Sequence, residues 1–228
     1  MADFTYRDIA KMLDHSLLQP VLTDAELEAG CQLARDYDVA SVCIKPYAVR
    51  RAAEILAGST VAVGTTIGFP HGGHVTAIKV AEAEQAMTDG ARELDMVVNI
   101  GKVLSKDWSY VAADIRAVVE AAHRRQALVK VIFENCFLHT EHKEQLCRIC
   151  GEAEADFVKT STGYGDSGAT DEDLILMRRC SPPRVQVKAA GGVRNFDRLL
   201  VVRGIGVTRV GATASKAILD ECKARLGR

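Results

Sequence analysis

The sequence has no surplus of charge. Its 228 residues carry 29 Lys+Arg against 30 Asp+Glu, a net charge of −1, and the arginines are scattered. That balance excludes a general electrostatic pull toward nucleic acid or a membrane surface. No apolar run is long enough to span a bilayer. The opening Met1-Ala2-Asp3-Phe4-Thr5 lacks the basic start and apolar centre of a secretory leader. Aromatic residues make up 5% and there are 5 prolines, with no linker or low-complexity tract to divide the chain. One domain over residues 1–228 is therefore expected. Cysteine is present, but 7 is an odd count that does not suit a disulfide framework in a chain of this size. Reduced thiols and a cytoplasmic address follow. Cys147-Arg148-Ile149-Cys150 lies in a helix-like segment with no second pair and reads as packing thiols, not as a zinc or redox motif.

What the chain does have is alternation. Short β-rich runs at about 14–18, 39–45, 60–69, 94–99, 128–133, 157–159, 185–189 and 207–211 are each followed by a helical segment. Thr23 or Asp24 can cap the first of these helices, Pro46 can open the second, and Gly90 can stop the third. Acidic residues Asp171, Glu172 and Asp173 suit the helix that begins near Thr170. Eight strand–helix units in this length predict an α/β fold, a single (β/α)8 barrel. A doubly wound sheet shares the alternation, but the phosphate-type glycines come late in the chain and not after the first strand, which disfavours a dinucleotide-binding domain.

Charges inside the strands come next. Phe157-Val158-Lys159 runs from apolar residues into a lysine and then into Thr160-Ser161-Thr162-Gly163-Tyr164-Gly165. Burying an ammonium is costly unless it is paired or neutralised, and strand C-termini are where barrels place their chemistry. Lys188 lies 29 residues on, about one strand–helix repeat, so the two lysines project into one bowl from neighbouring strands. Strands lie about 4.8 Å apart. Two ammonium groups about 5 Å apart at an effective dielectric near 20 repel by roughly 3 kcal/mol. One amine is then lowered by around two units from about 10.4, with desolvation acting in the same direction. A free amine near neutral pH is what attack on a carbonyl requires. The alternative is that each lysine separately meets a carboxylate. Asp95, facing the same way as Glu93 and Val97, is either an electrostatic partner for a lysine or a proton relay. Cys43 and Lys130 are further barrel residues, read as a packing thiol and a paired inner charge.

Thr162-Gly163-Tyr164-Gly165, Gly191-Gly192-Val193-Arg194 and Val210-Gly211-Ala212-Thr213 follow the last three strands. Each exposes backbone N–H groups, the last two at helix N-termini, and phosphate sites in barrels form from such loops. Thr162, Gly163, Gly191, Gly192, Arg194, Gly211 and Thr213 are the candidate phosphate residues. His71 and His74 lack a carboxylate at matching spacing and read as loop residues, so no metal is expected. An isomerase barrel working by acid/base chemistry and a non-catalytic phosphate binder share the glycine turns, but neither needs both lysines.

These residues form a recognisable set. Leu13-Asp14-His15-Ser16-Leu17-Leu18, Val42-Cys43-Ile44-Lys45-Pro46, Gly68-Phe69-Pro70-His71-Gly72, Glu93-Leu94-Asp95-Met96-Val97-Val98-Asn99 and Leu128-Val129-Lys130-Val131-Ile132 belong to it. So do Val158-Lys159-Thr160-Ser161-Thr162-Gly163, Lys188-Ala189-Ala190-Gly191-Gly192-Val193-Arg194 and Arg209-Val210-Gly211. Over its whole length the chain resembles the deoxyribose-phosphate aldolases, class I aldolases with a (β/α)8 fold. The resemblance implies reversible cleavage of 2-deoxy-D-ribose 5-phosphate to acetaldehyde and D-glyceraldehyde 3-phosphate. Lys159 would form the Schiff base, Lys188 would lower its pKa and exchange protons, and Asp95 would join the proton relay. It implies no cofactor, a small phosphorylated sugar or aldehyde as the only small-molecule partner, and a possible homodimer. The chain departs from the family pattern at Gln19-Pro20, where lysine often precedes the proline, and at Tyr164, where some members place a lysine. It departs again at Gly211-Ala212-Thr213-Ala214, where two serines are common, and in ending at Leu226-Gly227-Arg228 without a tyrosine-bearing tail. These changes bear on phosphate affinity and not on imine chemistry.

Overall fold

The protein, as a computed structural model, is described over residues 4–227. Met1, Ala2 and Asp3, part of the opening from which a leader is argued absent, and Arg228 lie outside the described residues. Eight parallel strands close into a barrel in chain order: β1 (Leu13–Leu17), β2 (Ser41–Ile44), β3 (Ala62–Ile67), β4 (Glu93–Val97), β5 (Leu128–Ile132), β6 (Phe157–Lys159), β7 (Gln186–Ala190) and β8 (Arg209–Ala212). The helices are α1 (Tyr6–Ala10), α2 (Asp24–Asp36), α3 (Val49–Ile55), α4 (Thr76–Thr88), α5 (Ile100–Leu104), α6 (Trp108–His123), α7 (Thr140–Glu152), α8 (Asp171–Cys180), α9 (Phe196–Ile205) and α10 (Ser215–Arg225).

Strands β2, β3 and β4 are shorter than the sequence pattern suggests, and local hydrogen bonds say why. Val39 N–H closes α2 by donating to Ala34 O, so β2 starts only at Ser41. Thr60 accepts from Lys11 Nζ at 2.8 Å, which holds it outside β3. At the other end of β3, Gly68 turns to φ +64 and its N–H donates to Glu82 Oε2 at 2.7 Å. Asn99 leaves β4 to cap α5, accepting from Lys102 N–H at 3.1 Å. Two helices, α1 and α5, have no counterpart in the sequence reading. Each is only 5 residues long, too short to display a helical period. Thr23 caps α2 in a full capping box with Glu26. Pro46 opens a 3-10 turn, Pro46–Ala48, that leads into α3.

Alternation along each strand divides two environments. One face, carrying Val42, Ile44, Leu94, Met96, Val129, Val131, Val158, Val187 and Val210, is buried against the helical layer. Leu17 marks this outer side, its side chain lying where a Cβ on Gly30 of α2 would fall. The other face points into the barrel, and there the chain places Asp14, Glu93, Asp95, Lys130, Lys159 and Lys188, all nearly inaccessible to solvent. Barrel interiors are usually filled by branched apolar residues. This one is filled by charge.

Candidate active site

Lys159 and Lys188 are direct register partners on β6 and β7. The structure brings both to Asp95 on β4, and in an arrangement the sequence does not suggest. Asp95 Oδ2 accepts from Lys159 Nζ at 2.7 Å and from Lys188 Nζ at 2.6 Å, while Oδ1 accepts from Lys130 Nζ at 2.8 Å. The lysines thus share one carboxylate oxygen and do not repel without a partner, and of the two Lys188 alone has a second carboxylate. Beneath them Asp14 accepts from Lys188 Nζ at 2.5 Å, from Arg209 Nη1 at 2.6 Å and from Ser41 Oγ at 2.7 Å. Glu93 joins Lys130 at 2.6 Å and Arg209 at 2.8 Å.

The protonation directions follow from this wiring. Burial pushes the Lys159 amine below its ordinary value; Asp95 pulls it up and Lys188 pushes it down. Desolvation is therefore the leading cause, and the Lys188 charge, given first place in the sequence argument, is an ally. Burial opposes the charged form of Lys188 too, but Asp14 and Asp95 together hold it above the ordinary lysine range. Burial alone would raise Asp95, yet Lys130, Lys159 and Lys188 hold it well below the usual carboxylate range. Two neighbouring lysines thus differ in proton affinity, one poised toward amine and one held as ammonium. Cys43, whose Sγ lies 3.9 Å from Asp95 Oδ2, is pushed up to about 11 by burial and stays a thiol.

Above this network lies a cavity of about 210 Å³ at the C-terminal end of the barrel. Lys159, Lys188 and Cys43 form part of its floor, and Thr162, Gly163, Gly191, Gly192, Arg194, Gly211 and Thr213 line it as well. Asp95 is not among the lining residues; it sits below the lysines and reaches the cavity through them. The loop after β7 meets the loop after β6 backbone to backbone. Ala169 N–H donates to Gly191 O at 2.9 Å, and a Cβ on Gly168 would fall 2.4 Å from that oxygen. α9 is capped by the Asn195 side chain, whereas α10 starts with no side-chain cap. The start of α10, next to Ala212 and Thr213 in the cavity wall, thus has N–H groups that no side chain caps, an arrangement chemically suited to an anion.

Thr162 has a more particular place than its motif suggests. Its N–H donates to Glu134 Oε1 at 3.2 Å, its hydroxyl donates to Glu134 Oε2, and the same hydroxyl accepts from Tyr164 N–H at 3.0 Å. It shapes the turn and leaves Gly163 to face the cavity. Tyr164 crosses the mouth: its hydroxyl donates to Leu18 O at 2.9 Å and its ring meets Phe69 edge-on at 5.6 Å. Gln19 also lines the cavity. His71 and His74 are exposed, and no group of three metal-ligating side chains gathers among the described residues.

Four contributors were given no role in the sequence reading: Asp14, Glu93 and Arg209, which it named only within motifs or as neighbours, and Glu134. Asp14 sits in an apolar strand as Lys159 does, so the same signal was present. Arg209 opens β8 and looks like a strand-end charge. Glu134 lies just past β5 at φ +57, and only the folded chain shows that it underlies the β6 turn.

The model of the DeoC/LacD family aldolases matches residues 9–216. The chain belongs to the DeoC/LacD aldolase family. It is 57% identical to a deoxyribose-phosphate aldolase of Rhodopirellula baltica over 100% of this chain and 94% of that one. With that of Clostridium perfringens it shares 48% identity over 94% and 95%. Among solved structures, an aldolase of this name from Coccidioides immitis superposes with a TM-score of 0.92 at 37% identity, covering 96% of this chain and 87% of that one. A tetrameric one from Aeropyrum pernix gives 0.89 at 27%, covering 97% and 93%. As a DeoC/LacD aldolase the chain is a lyase, and its barrel is the fold of these neighbours. No helix among the described residues is long and apolar enough to cross a membrane.

Proposed function

We propose that this class I aldolase cleaves 2-deoxy-D-ribose 5-phosphate reversibly to acetaldehyde and D-glyceraldehyde 3-phosphate, through an imine on Lys159. The observation that carries the reading is a buried, amine-poised Lys159 opening into a cavity whose wall is an uncapped helix N-terminus and three glycine turns. In the cleavage direction the Lys159 amine adds to the substrate C1 aldehyde. Lys188, held as ammonium by Asp14 and Asp95, gives the proton that carries the carbinolamine hydroxyl away as water. The protonated imine then draws in the C2–C3 bonding pair as Lys188, now an amine, takes the proton of the C3 hydroxyl. Glyceraldehyde 3-phosphate departs and an enamine remains. Protonation at C2 and hydrolysis release acetaldehyde and the amine. Asp95, held as a carboxylate below both lysines, takes part in the relay by accepting from both and steadying the charge as the proton leaves and returns to Lys188. The phosphate lies against Gly163, Gly191, Gly192, Arg194, Gly211 and Thr213. Thr162 acts on it indirectly, by fixing the turn.

A cytoplasmic homodimer is the proposed setting, and light scattering distinguishes it from the tetramer described for the Aeropyrum pernix relative. The function is tested by incubating the protein with 2-deoxyribose 5-phosphate in excess chelator and assaying both aldehydes enzymatically. Acetaldehyde and glyceraldehyde 3-phosphate should form in equal amounts. Consumption of substrate without acetaldehyde would instead indicate an isomerase.

A further inference from the structure

Below the floor of the cavity the barrel encloses an ionic cluster whose charges do not balance. Its cations are Lys130, Lys159, Lys188 and Arg209, and its carboxylates are Asp14, Glu93 and Asp95. Lys159 faces Asp95 from β4, Lys188 from β7 and the neutral Cys43 thiol from β2. Arg209 faces Asp14 from β1 and Glu93 from β4, with its guanidinium 5.4 Å from the Phe157 ring of β6. Lys130 closes the cluster, bridging Glu93 at 2.6 Å and Asp95 at 2.8 Å, with Asp14 at 3.5 Å. A poorly solvated cluster resists net charge. With every group ionised, four cations stand against three carboxylates. The cluster is neutral when one cation gives up its proton, and Lys159, the one that floors the cavity with a single carboxylate partner, is placed to do so.

We propose that Arg209, which lies below the cavity, is a positioning residue that sets the pH at which Lys159 becomes a free amine. Arg209 acts by occupying carboxylate charge that would otherwise hold Lys159 as ammonium. It is the register partner of Lys188, which is in turn the partner of Lys159, so two strand spacings separate them. A unit charge about 10 Å away at an effective dielectric near 20 corresponds to a shift of about one pH unit. The inference rests on Lys159 being the imine-forming residue.

The test is the pH dependence of borohydride trapping of acetaldehyde on Lys159, read by peptide mass analysis in folded wild-type and variant proteins checked by circular dichroism. Arg209→Met should move the acid limb about one unit toward alkaline pH, leaving about tenfold less adduct at a pH below it. Arg209→Lys should restore the wild-type limb. Glu93→Gln, which removes a carboxylate, should move the limb toward acid, and the Arg209→Met/Glu93→Gln pair should bring it back. If Arg209→Met does not fold, Glu93→Gln decides the matter alone. Limbs that coincide with wild type, or that move the same way in both single variants, overturn the charge-balance role. Absence of a wild-type adduct on Lys159 overturns the imine reading instead, so the two failures are distinct.

Discussion

At the scale of single residues, burial opposes the charge on both lysines, and the carboxylates within reach tell one from the other. Lys159 and Lys188 share an oxygen of Asp95, but Lys188 has Asp14 as well, and that second carboxylate decides which keeps its proton. The same physics acts away from the site. His15 on β1 is buried, its Nδ1 3.0 Å from Ser215 Oγ, and desolvation lowers it to about 4 from 6.5. Between these values the unfolded chain holds a proton that the folded chain does not. The stability tied to His15 is therefore complete above about pH 6.5 and is lost as pH falls toward 4. One unit is worth about 1.4 kcal/mol, so the loss is on the order of 3 kcal/mol. Urea unfolding across this range should show the slope, and His15→Leu should flatten it. The carboxylates add their own loss only at lower pH, below the usual aspartate range, because their cations hold Asp14 and Asp95 down against the opposing effect of burial.

At the scale of elements, the loops after β6, β7 and β8 line the cavity proposed to hold the phosphate, and two of them are fitted by backbone contact. Gly168→Ala would place a methyl group 2.4 Å from Gly191 O. The expected outcome is a rise of about tenfold in KM for the phosphorylated substrate, equivalent to ~1.4 kcal/mol, with kcat little changed. Steady-state kinetics check it, with unphosphorylated 2-deoxyribose as the control that should respond less. Much of this architecture was legible in the sequence. Eight β-rich runs predicted the closed barrel, and a lysine ending an apolar strand marked Lys159. Strand ends were less legible, because Thr60 and Asn99 look like strand residues until Lys11 and α5 claim them. α1 and α5 gave no period to read. The role of Thr162 was hidden for another reason: its partner Glu134 is 28 residues away and belongs to a different loop.

At the scale of the whole molecule, closure of the sheet leaves no free edge and separates two media. Apolar residues between strands and helices form the packed mantle, and the interior that the strands enclose carries the ionic cluster. Buried ion pairs are weak sources of stability. Their value here lies in protonation, because a cluster with one cation in excess favours an amine at the floor of the cavity. That amine is the central claim, and one measurement reaches it most directly. The protein is incubated with acetaldehyde, reduced with borohydride, digested and mapped by mass spectrometry. The account predicts a stable ethyl adduct on Lys159, with Lys130 and Lys188 unmodified. No adduct, or one carried by another lysine, would contradict it.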